Sequence, residues 1–256
     1  MLSRSWLIRK TGIARRLRLY CFCYAGGNAV SYLPWQAILD PDIEVCAIQL
    51  PGRGARITEP PYRSMPPLIA DIAQVVSQNN SLPFAFFGHS LGGLLAFEAT
   101  RQLAKNRYPL PEHLFVSGVD APQYRSPSKN LHLLKDDALI ESLRDYNGTP
   151  AEILDNRNLM ELLLPTIRAD FALAENYQYQ PGPPLTLPIT VFAGKQDDHI
   201  SMDEVEGWGD ETIGRCEIHW FEGDHFFINA EQQEVLDCIL ATMRNRLGAG
   251  SASKSI

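Results

Sequence analysis

A chain of 256 residues, of which 45% are hydrophobic and 21% charged, can bury about 70–75% of its unfolded surface in one large domain. No apolar run approaches the roughly 18 residues of a membrane-spanning helix, so we expect no membrane span. The formal net charge is −7, from 23 Lys and Arg against 30 Asp and Glu, which argues against a dedicated nucleic-acid-binding protein.

The first 18 residues carry basic side chains and no acidic one. The basic residues are Arg4, Arg9, Lys10, Arg15, Arg16 and Arg18. The apolar stretch among them, Trp6-Leu7-Ile8, is too short for the central region of a signal peptide. We therefore predict a solvated arm that leads into the first strand, with contact to an acidic partner as the alternative.

The cysteines and histidines indicate neither a disulfide framework nor a metal site. The five cysteines are odd in number and scattered, which favours a reducing, cytoplasmic location. His219 and His225 have no second cluster of ligands at a suitable spacing, so we predict no bound metal.

Short apolar runs bounded by glycine or proline alternate with amphipathic stretches along the chain. The predicted strands are Leu17–Tyr24, Val45–Leu50, Phe84–Phe87, His113–Gly118, Ile189–Ala193 and Glu217–Phe221. The predicted helices are Pro67–Gln78, Leu91–Lys105 and Glu231–Leu247. This alternation is typical of α/β proteins with a mostly parallel sheet and helices on both faces. We predict one domain over residues 1–247 and a disordered tail over residues 248–256.

About seventy residues between the fourth and fifth predicted strands lack any strand pattern. Within them, Lys135–Tyr146 and Asn158–Tyr177 have helical patterns. We predict a helical insertion at about residues 123–186 that covers the strand ends as a lid, with a helical pair that has no gating role as the alternative. Its aromatic side chains Phe171, Tyr177 and Tyr179 are interpreted as core, with the lining of an acyl pocket as the alternative.

The sequence Gly88-His89-Ser90-Leu91-Gly92 lies between a predicted strand and a predicted helix. A serine in such a sharp turn points its hydroxyl above the sheet, and flanking glycines relieve the crowding. The pattern predicts an α/β-hydrolase fold in which Ser90 is the nucleophile. The helix that starts at Leu91 adds positive potential where an oxyanion would form.

A serine nucleophile requires a histidine base that a carboxylate orients, in the chain order serine, acid, histidine. His225 follows the last predicted strand and is the expected base. Asp197, three residues after the glycine that ends the preceding strand, is the expected acid. Asp198 and Asp120 remain the alternatives for this role.

The loop Tyr24-Ala25-Gly26-Gly27-Asn28 follows the first predicted strand. We predict that the backbone amides of Leu91 and Ala25 form an oxyanion hole, with Gly26 as the alternative to Ala25. These glycines do not form the Gly-X-Gly-X-X-Gly pattern of a dinucleotide-binding loop.

Several further strings resemble the type II thioesterases of polyketide and non-ribosomal peptide biosynthesis. They are Phe22–Gly27, Gln49–Gly54, Gly88–Gly93, Gly148–Glu152, Leu164–Asp170, Gly194–Asp197 and Gly223–Phe227. The resemblance implies an α/β-hydrolase fold with a lid, and a triad of Ser90, Asp197 and His225. It also implies hydrolysis of acyl thioesters on the phosphopantetheine arm of an acyl or peptidyl carrier protein.

On this interpretation the enzyme needs no cofactor of its own, since phosphopantetheine arrives on the carrier protein. We expect a cytoplasmic monomer without nucleic-acid or membrane partners. The triad alone does not separate thioesters from esters, so a free-standing esterase or lipase is the first alternative. A non-catalytic binding module with this fold is the second.

Overall fold

The computed structural model describes residues 6–10, 15–39, 41–124 and 129–252, with side chains as far as residue 244. Within these ranges, seven strands form one sheet in the order β1-β3-β2-β4-β5-β6-β7. The strands are β1 Leu7–Ile8, β2 Leu17–Phe22, β3 Ile43–Ile48, β4 Phe84–His89, β5 Leu114–Ser117, β6 Ile189–Gly194 and β7 Cys216–Phe221. All neighbours pair in parallel except β1, which runs antiparallel to β3.

Helices cover both faces of the sheet. The α-helices are α1 Met65–Ser77, α2 Leu91–Lys105, α3 Asp136–Asp145, α4 Ala151–Leu154, α5 Arg157–Glu175, α6 Met202–Glu206, α7 Phe227–Ala230 and α8 Gln232–Ala252. Alternate residues of β2 pack into two separate cores: Tyr20 and Phe22 face α1 and α2, while Leu19 and Cys21 face α8 and the 3₁₀ segment Ala29–Ala37. This arrangement confirms the predicted α/β architecture. Because the strands are buried on both faces, their sequences are continuous apolar runs.

The amino-terminal region differs from the predicted solvated arm. Trp6 is 1% exposed, and Leu7 and Ile8 pair with β3 as an edge strand. Arg9 and Arg18 both bind the carboxylate of Glu44, at 3.3 and 2.5 Å. The prediction was wrong because a two-residue strand is too short to produce an alternating pattern. The part of the arm at residues 1–5 and 11–14 lies outside the described residues.

The carboxyl terminus also differs from the prediction. Helix α8 continues to Ala252, so residues 248–252 of the expected disordered tail are helical, and residues 253–256 lie outside the described part. No proline ends the helix, and each glycine costs only about 1 kcal/mol in a helix interior. Within the described residues, no helix combines the length and the apolar character needed to cross a lipid bilayer.

The stretch between β5 and β6 contains α3, α4 and α5. These helices contribute to a small core of their own, made by Leu131, Leu139, Leu143, Leu154, Met160, Leu164, Ile167 and Phe171. The Asn156 side chain caps α5 by accepting the amide hydrogen of Leu159 at 3.1 Å. We call this stretch, residues 129–186, the insertion. It lies beside the carboxyl edge of the sheet, because its residues line the same cavity as loops from β2, β4 and β7.

Candidate active site

Ser90 occupies a strained turn between β4 and α2. Its φ of +54° and ψ of −120° are unusual for a residue with a side chain, and its amide donates to the Ser117 carbonyl at 2.7 Å. The turn depends on glycine, because a Cβ on Gly92 would lie 2.2 Å from the Phe22 carbonyl oxygen. Local sequence therefore holds Ser90 in the lining of a cavity.

His225 and Asp197 form a buried pair on the loops that follow β7 and β6. His225 Nδ1 lies 2.8 Å from Asp197 Oδ2, and the two residues are 4% and 7% exposed. The other carboxylate oxygen of Asp197 accepts the amide hydrogen of His199 at 2.9 Å. With Nδ1 engaged by a carboxylate, Nε2 is the ring nitrogen left to exchange a proton with a reacting group.

The two alternative carboxylates also reach the cavity but have other surroundings. Asp120 accepts the amide hydrogen of Ser201 at 3.0 Å, and Asp198 is exposed at the cavity wall. The carboxylate hydrogen-bonded to His225 is that of Asp197. Geometry therefore favours Asp197 over Asp120 and Asp198 as the group that orients the histidine.

Aromatic rings surround the imidazole of His225. Tyr146 stacks flat on His199, with ring centroids 3.9 Å apart, and makes a T-shaped contact with His225 at 5.7 Å between centroids. Burial, followed by the nearby charge of His225, lowers the pKa of His199. His89 lies on another side, 5.1 Å from His225 between ring centroids, and burial lowers its pKa well below the usual range. Both environments therefore disfavour the charged form of these two neighbouring rings.

The loop after β2 brings Ala25 to the same cavity, opposite the first residue of α2. Ala25 and Leu91 both line the cavity, and Leu91 stands where helix amides have no partner within the helix. The Gly26 amide instead donates to Asp170 Oδ2 at 2.8 Å. Because that donor is engaged, Ala25 is the better candidate for the second oxyanion donor.

The insertion supplies much of the cavity wall. The cavity has a volume of about 450 Å³, and its apolar side is lined by Val119, Leu143, Phe171, Ala174, Tyr177 and Ile200. Phe171 and Tyr177 thus line the site, although their helical spacing was interpreted as core. Phe171 does both, since it is 7% exposed and also packs in the insertion's own core. Helical periodicity identifies a buried face but does not tell a core from a cavity wall.

Three further contacts join the insertion to the catalytic loops. Asn147 donates to Asp224 Oδ2 at 2.9 Å, and a Cβ on Gly148 would lie 2.2 Å from the ring of Phe226, so this turn packs tightly beside His225. Asp170 of α5 pairs with Arg53. Gly148, Arg53 and Asp170 lie in strings that carry the family resemblance, but their sequence pattern predicts none of these contacts.

Among the described residues, no group of three or more histidine, cysteine, aspartate or glutamate side chains is arranged to hold a metal ion. The candidate reacting groups at the cavity are Ser90, His225, Asp197 and the backbone amides of Ala25 and Leu91. That set can carry out nucleophilic acyl transfer.

The family of Thioesterase domains matches residues 17–243. The chain belongs to this family. Linear gramicidin dehydrogenase LgrE of Brevibacillus parabrevis is 39% identical over 249 residues, which cover 96% of this chain and 94% of that relative. Gramicidin S biosynthesis protein GrsT of Aneurinibacillus migulanus is 38% identical over 231 residues, or 90% of each protein.

A solved structure shows the same relationship in three dimensions. The type II thioesterase BorB, from the borrelidin biosynthetic cluster, is 34% identical in sequence and superposes with a TM-score of 0.86. The alignment covers 93% of this chain and 97% of that chain. The resemblance to type II thioesterases that the motifs indicated is thereby confirmed. The thioesterase described here is an α/β enzyme that hydrolyses thioesters.

Proposed function

We propose that this thioesterase removes acyl groups from the phosphopantetheine arms of carrier proteins in a non-ribosomal peptide or polyketide pathway, as an editing enzyme. The observation that carries the proposal is the cavity that Ser90, His225 and the insertion line together, with Asp197 hydrogen-bonded to His225. The gramicidin proteins and BorB, each similar over almost the whole chain, support the pathway class.

In the proposed mechanism, Ser90 Oγ attacks the thioester carbonyl carbon while His225 Nε2 takes the hydroxyl proton. The amides of Ala25 and Leu91 donate to the oxyanion that forms, and Asp197 stabilises the imidazolium. The C–S bond then breaks, and His225 returns the proton to the departing phosphopantetheine sulfur.

Water completes the cycle. His225 takes a proton from a water molecule as its oxygen attacks the Ser90 acyl ester, and a second oxyanion forms in the same hole. When the ester C–O bond breaks, His225 protonates Ser90 Oγ and the acyl group leaves as a carboxylic acid. The thiol of the carrier protein is then free for reloading.

The dehydrogenase name of one relative does not describe the site of this chain. The loop after β2 lacks the Gly-X-Gly-X-X-Gly pattern, and the amides that follow Ala25 are engaged within the protein: Gly26 donates to Asp170 and Gly27 to the Tyr24 carbonyl at 2.9 Å. A strained serine beside a buried His–Asp pair is instead the arrangement that acyl transfer requires.

We further propose that the enzyme acts as a cytoplasmic monomer. Every residue of the site belongs to one chain, which supports activity without a partner subunit. All five cysteines are free thiols, which suits a reducing compartment.

The test compares acetyl- and longer acyl-carrier proteins with the matching p-nitrophenyl esters, for the parent enzyme and Ser90→Ala. We expect higher kcat/KM on the carrier-bound thioester, and loss of turnover in Ser90→Ala. Equal or higher kcat/KM on free esters would identify a general esterase. Absence of Ser90-dependent turnover on both substrates would indicate a binding module.

A further inference from the structure

Arg53 and Asp170 form a buried ion pair just behind the oxyanion loop. The guanidinium donates two hydrogen bonds, Nη1 to Asp170 Oδ2 and Nη2 to Oδ1, both at 2.7 Å. The residues are only 5% and 1% exposed, and 117 positions separate them in the chain. Two parallel bonds define the orientation of both side chains, which a single contact would not.

The same two side chains hold the peptide groups that follow Ala25. Asp170 Oδ2 accepts the Gly26 amide hydrogen at 2.8 Å, and Arg53 Nη1 donates to the Gly27 carbonyl at 3.1 Å. Gly26 has a φ of +73°, in the region that glycine tolerates best, so its own backbone preferences constrain it little. The position of the adjacent Ala25 amide therefore depends on the charged pair.

Helix α5 links this pair to the acyl side of the site. Phe171 and Ala174 of α5 line the cavity, and the Thr166 hydroxyl donates to the Gly52 carbonyl at 2.6 Å. Separation of α5 from the sheet would break the Thr166–Gly52 hydrogen bond and the Arg53–Asp170 ion pair. It would also leave the two buried charges of that pair without partners. This helix is thus bound to the loop that carries Arg53 and to the loop that carries Ala25.

We propose that Arg53 and Asp170 are positioning residues that set the Ala25 amide for the tetrahedral intermediate, so that α5 of the insertion is a fixed part of the oxyanion hole. The proposal rests on the acyl-transfer mechanism above. It assigns a role to two strings, Gln49–Gly54 and Leu164–Asp170, that are outside the triad.

The test uses Asp170→Asn, which retains the shape of the side chain and removes its charge. Glu44→Gln is the matched control, because Arg18 and Glu44 form another buried pair, 5% and 9% exposed, near the amino ends of β2 and β3. Both variants lose the negative charge of a buried ion pair, but only Asp170 contacts the oxyanion loop.

Two ligands separate positioning from general packing. An alkyl boronic acid adds to Ser90 Oγ and forms a tetrahedral anion that uses the oxyanion hole. An S-alkyl pantetheine thioether fills the cavity but has no carbonyl or boron for Ser90 to attack. We expect Asp170→Asn to weaken the boronate by about 100-fold and to lower kcat similarly, because small displacements of a catalytic group have effects of this size. Thioether affinity and KM should remain near the parental values.

Glu44→Gln should change thermal stability without changing the affinity ratio of the two ligands. The proposal is wrong if folded Asp170→Asn binds the boronate as the parent does, or if both ligands weaken equally. If Asp170→Asn does not fold, Arg53→Lys serves instead, since lysine keeps the charge but cannot make the two-pronged contact. Boronate binding requires only that Ser90 Oγ bonds to boron while His225 takes its proton, so the boronate measurement is independent of whether carrier proteins are the natural substrates.

Discussion

Asp197 differs from its neighbouring carboxylates in what each of its oxygens contacts. One oxygen binds His225 Nδ1 and the other accepts a backbone amide, so the carboxylate has a single orientation. Asp198 is next in sequence but is exposed. Two adjacent aspartates thus have different environments because the turn after β6 buries one and leaves the other in solvent.

We predict that Asp197→Asn lowers kcat by about 10⁴-fold. The neutral amide of asparagine does not stabilise the imidazolium form of His225 as the carboxylate does, and it does not hold the neutral ring in the reactive tautomer. Asp198→Asn, the matched neighbour, should retain parental kcat. Steady-state hydrolysis of a p-nitrophenyl ester, with circular dichroism to verify folding, measures both. A larger loss in Asp120→Asn than in Asp197→Asn would assign the acid to the earlier strand.

At the level of elements, β1 closes one edge of the sheet. It pairs with β3, and Trp6 beside it packs with the Arg56 guanidinium 4.3 Å from its ring. Covering the edge of β3 removes a row of unpaired backbone groups that could pair with another chain. This short strand therefore contributes to stability far from the catalytic loops.

We predict that Trp6→Ala lowers the free energy of unfolding by about 3–5 kcal/mol, because a large buried side chain is replaced by a cavity. Lys10→Ala, an exposed change in the same segment, should stay within about 0.5 kcal/mol of the parent. Urea denaturation measures the difference, and kcat per folded molecule should be unchanged. Equal stability of the two variants would support the solvated arm that the sequence predicted.

For the whole molecule, buried histidines make stability depend on pH. His89 is fully buried with a lowered pKa, whereas the unfolded chain titrates near 6.5, so below that pH the unfolded state binds more protons. Stability is then lost as pH falls below about 6.5. Burial acts to raise the pKa of Glu175, but hydrogen bonds from His132 and Leu131 outweigh it, so the pKa is lowered. Glu175 therefore reduces the stability of the fold only as pH falls below about 4.5.

We predict that the free energy of unfolding falls as pH is lowered from 7.5 to 5.5. Each buried histidine with a lowered pKa contributes up to about 1.4 kcal/mol per pH unit to this fall. His89→Gln removes the titrating ring and retains polar groups to face Ser117, so its profile should be flatter. Urea melts at the two pH values measure this. A wild-type profile without slope, or one that His89→Gln leaves unchanged, would contradict the assignment.

The predictions from sequence succeeded where a signal is local. Parallel strands buried on both faces appear as short apolar runs, and the glycines around Ser90 mark a turn in which a Cβ would collide with backbone. His225 was predicted as the base because loops after parallel strands meet at one edge of the sheet, and it lines the same cavity as Ser90. The order of these elements along the chain already determined the α/β architecture.

Tertiary structure alone decided which of these groups touch. The Arg53–Asp170 pair, the hydrogen bond between Asp197 and His225, and the presence of Phe171 in the cavity wall depend on contacts between segments distant in sequence. The edge strand at Trp6 likewise exists because β3 offers a partner for it. Such contacts have no periodic signature, since a buried charge or aromatic ring looks the same in sequence whatever it faces once the chain has folded.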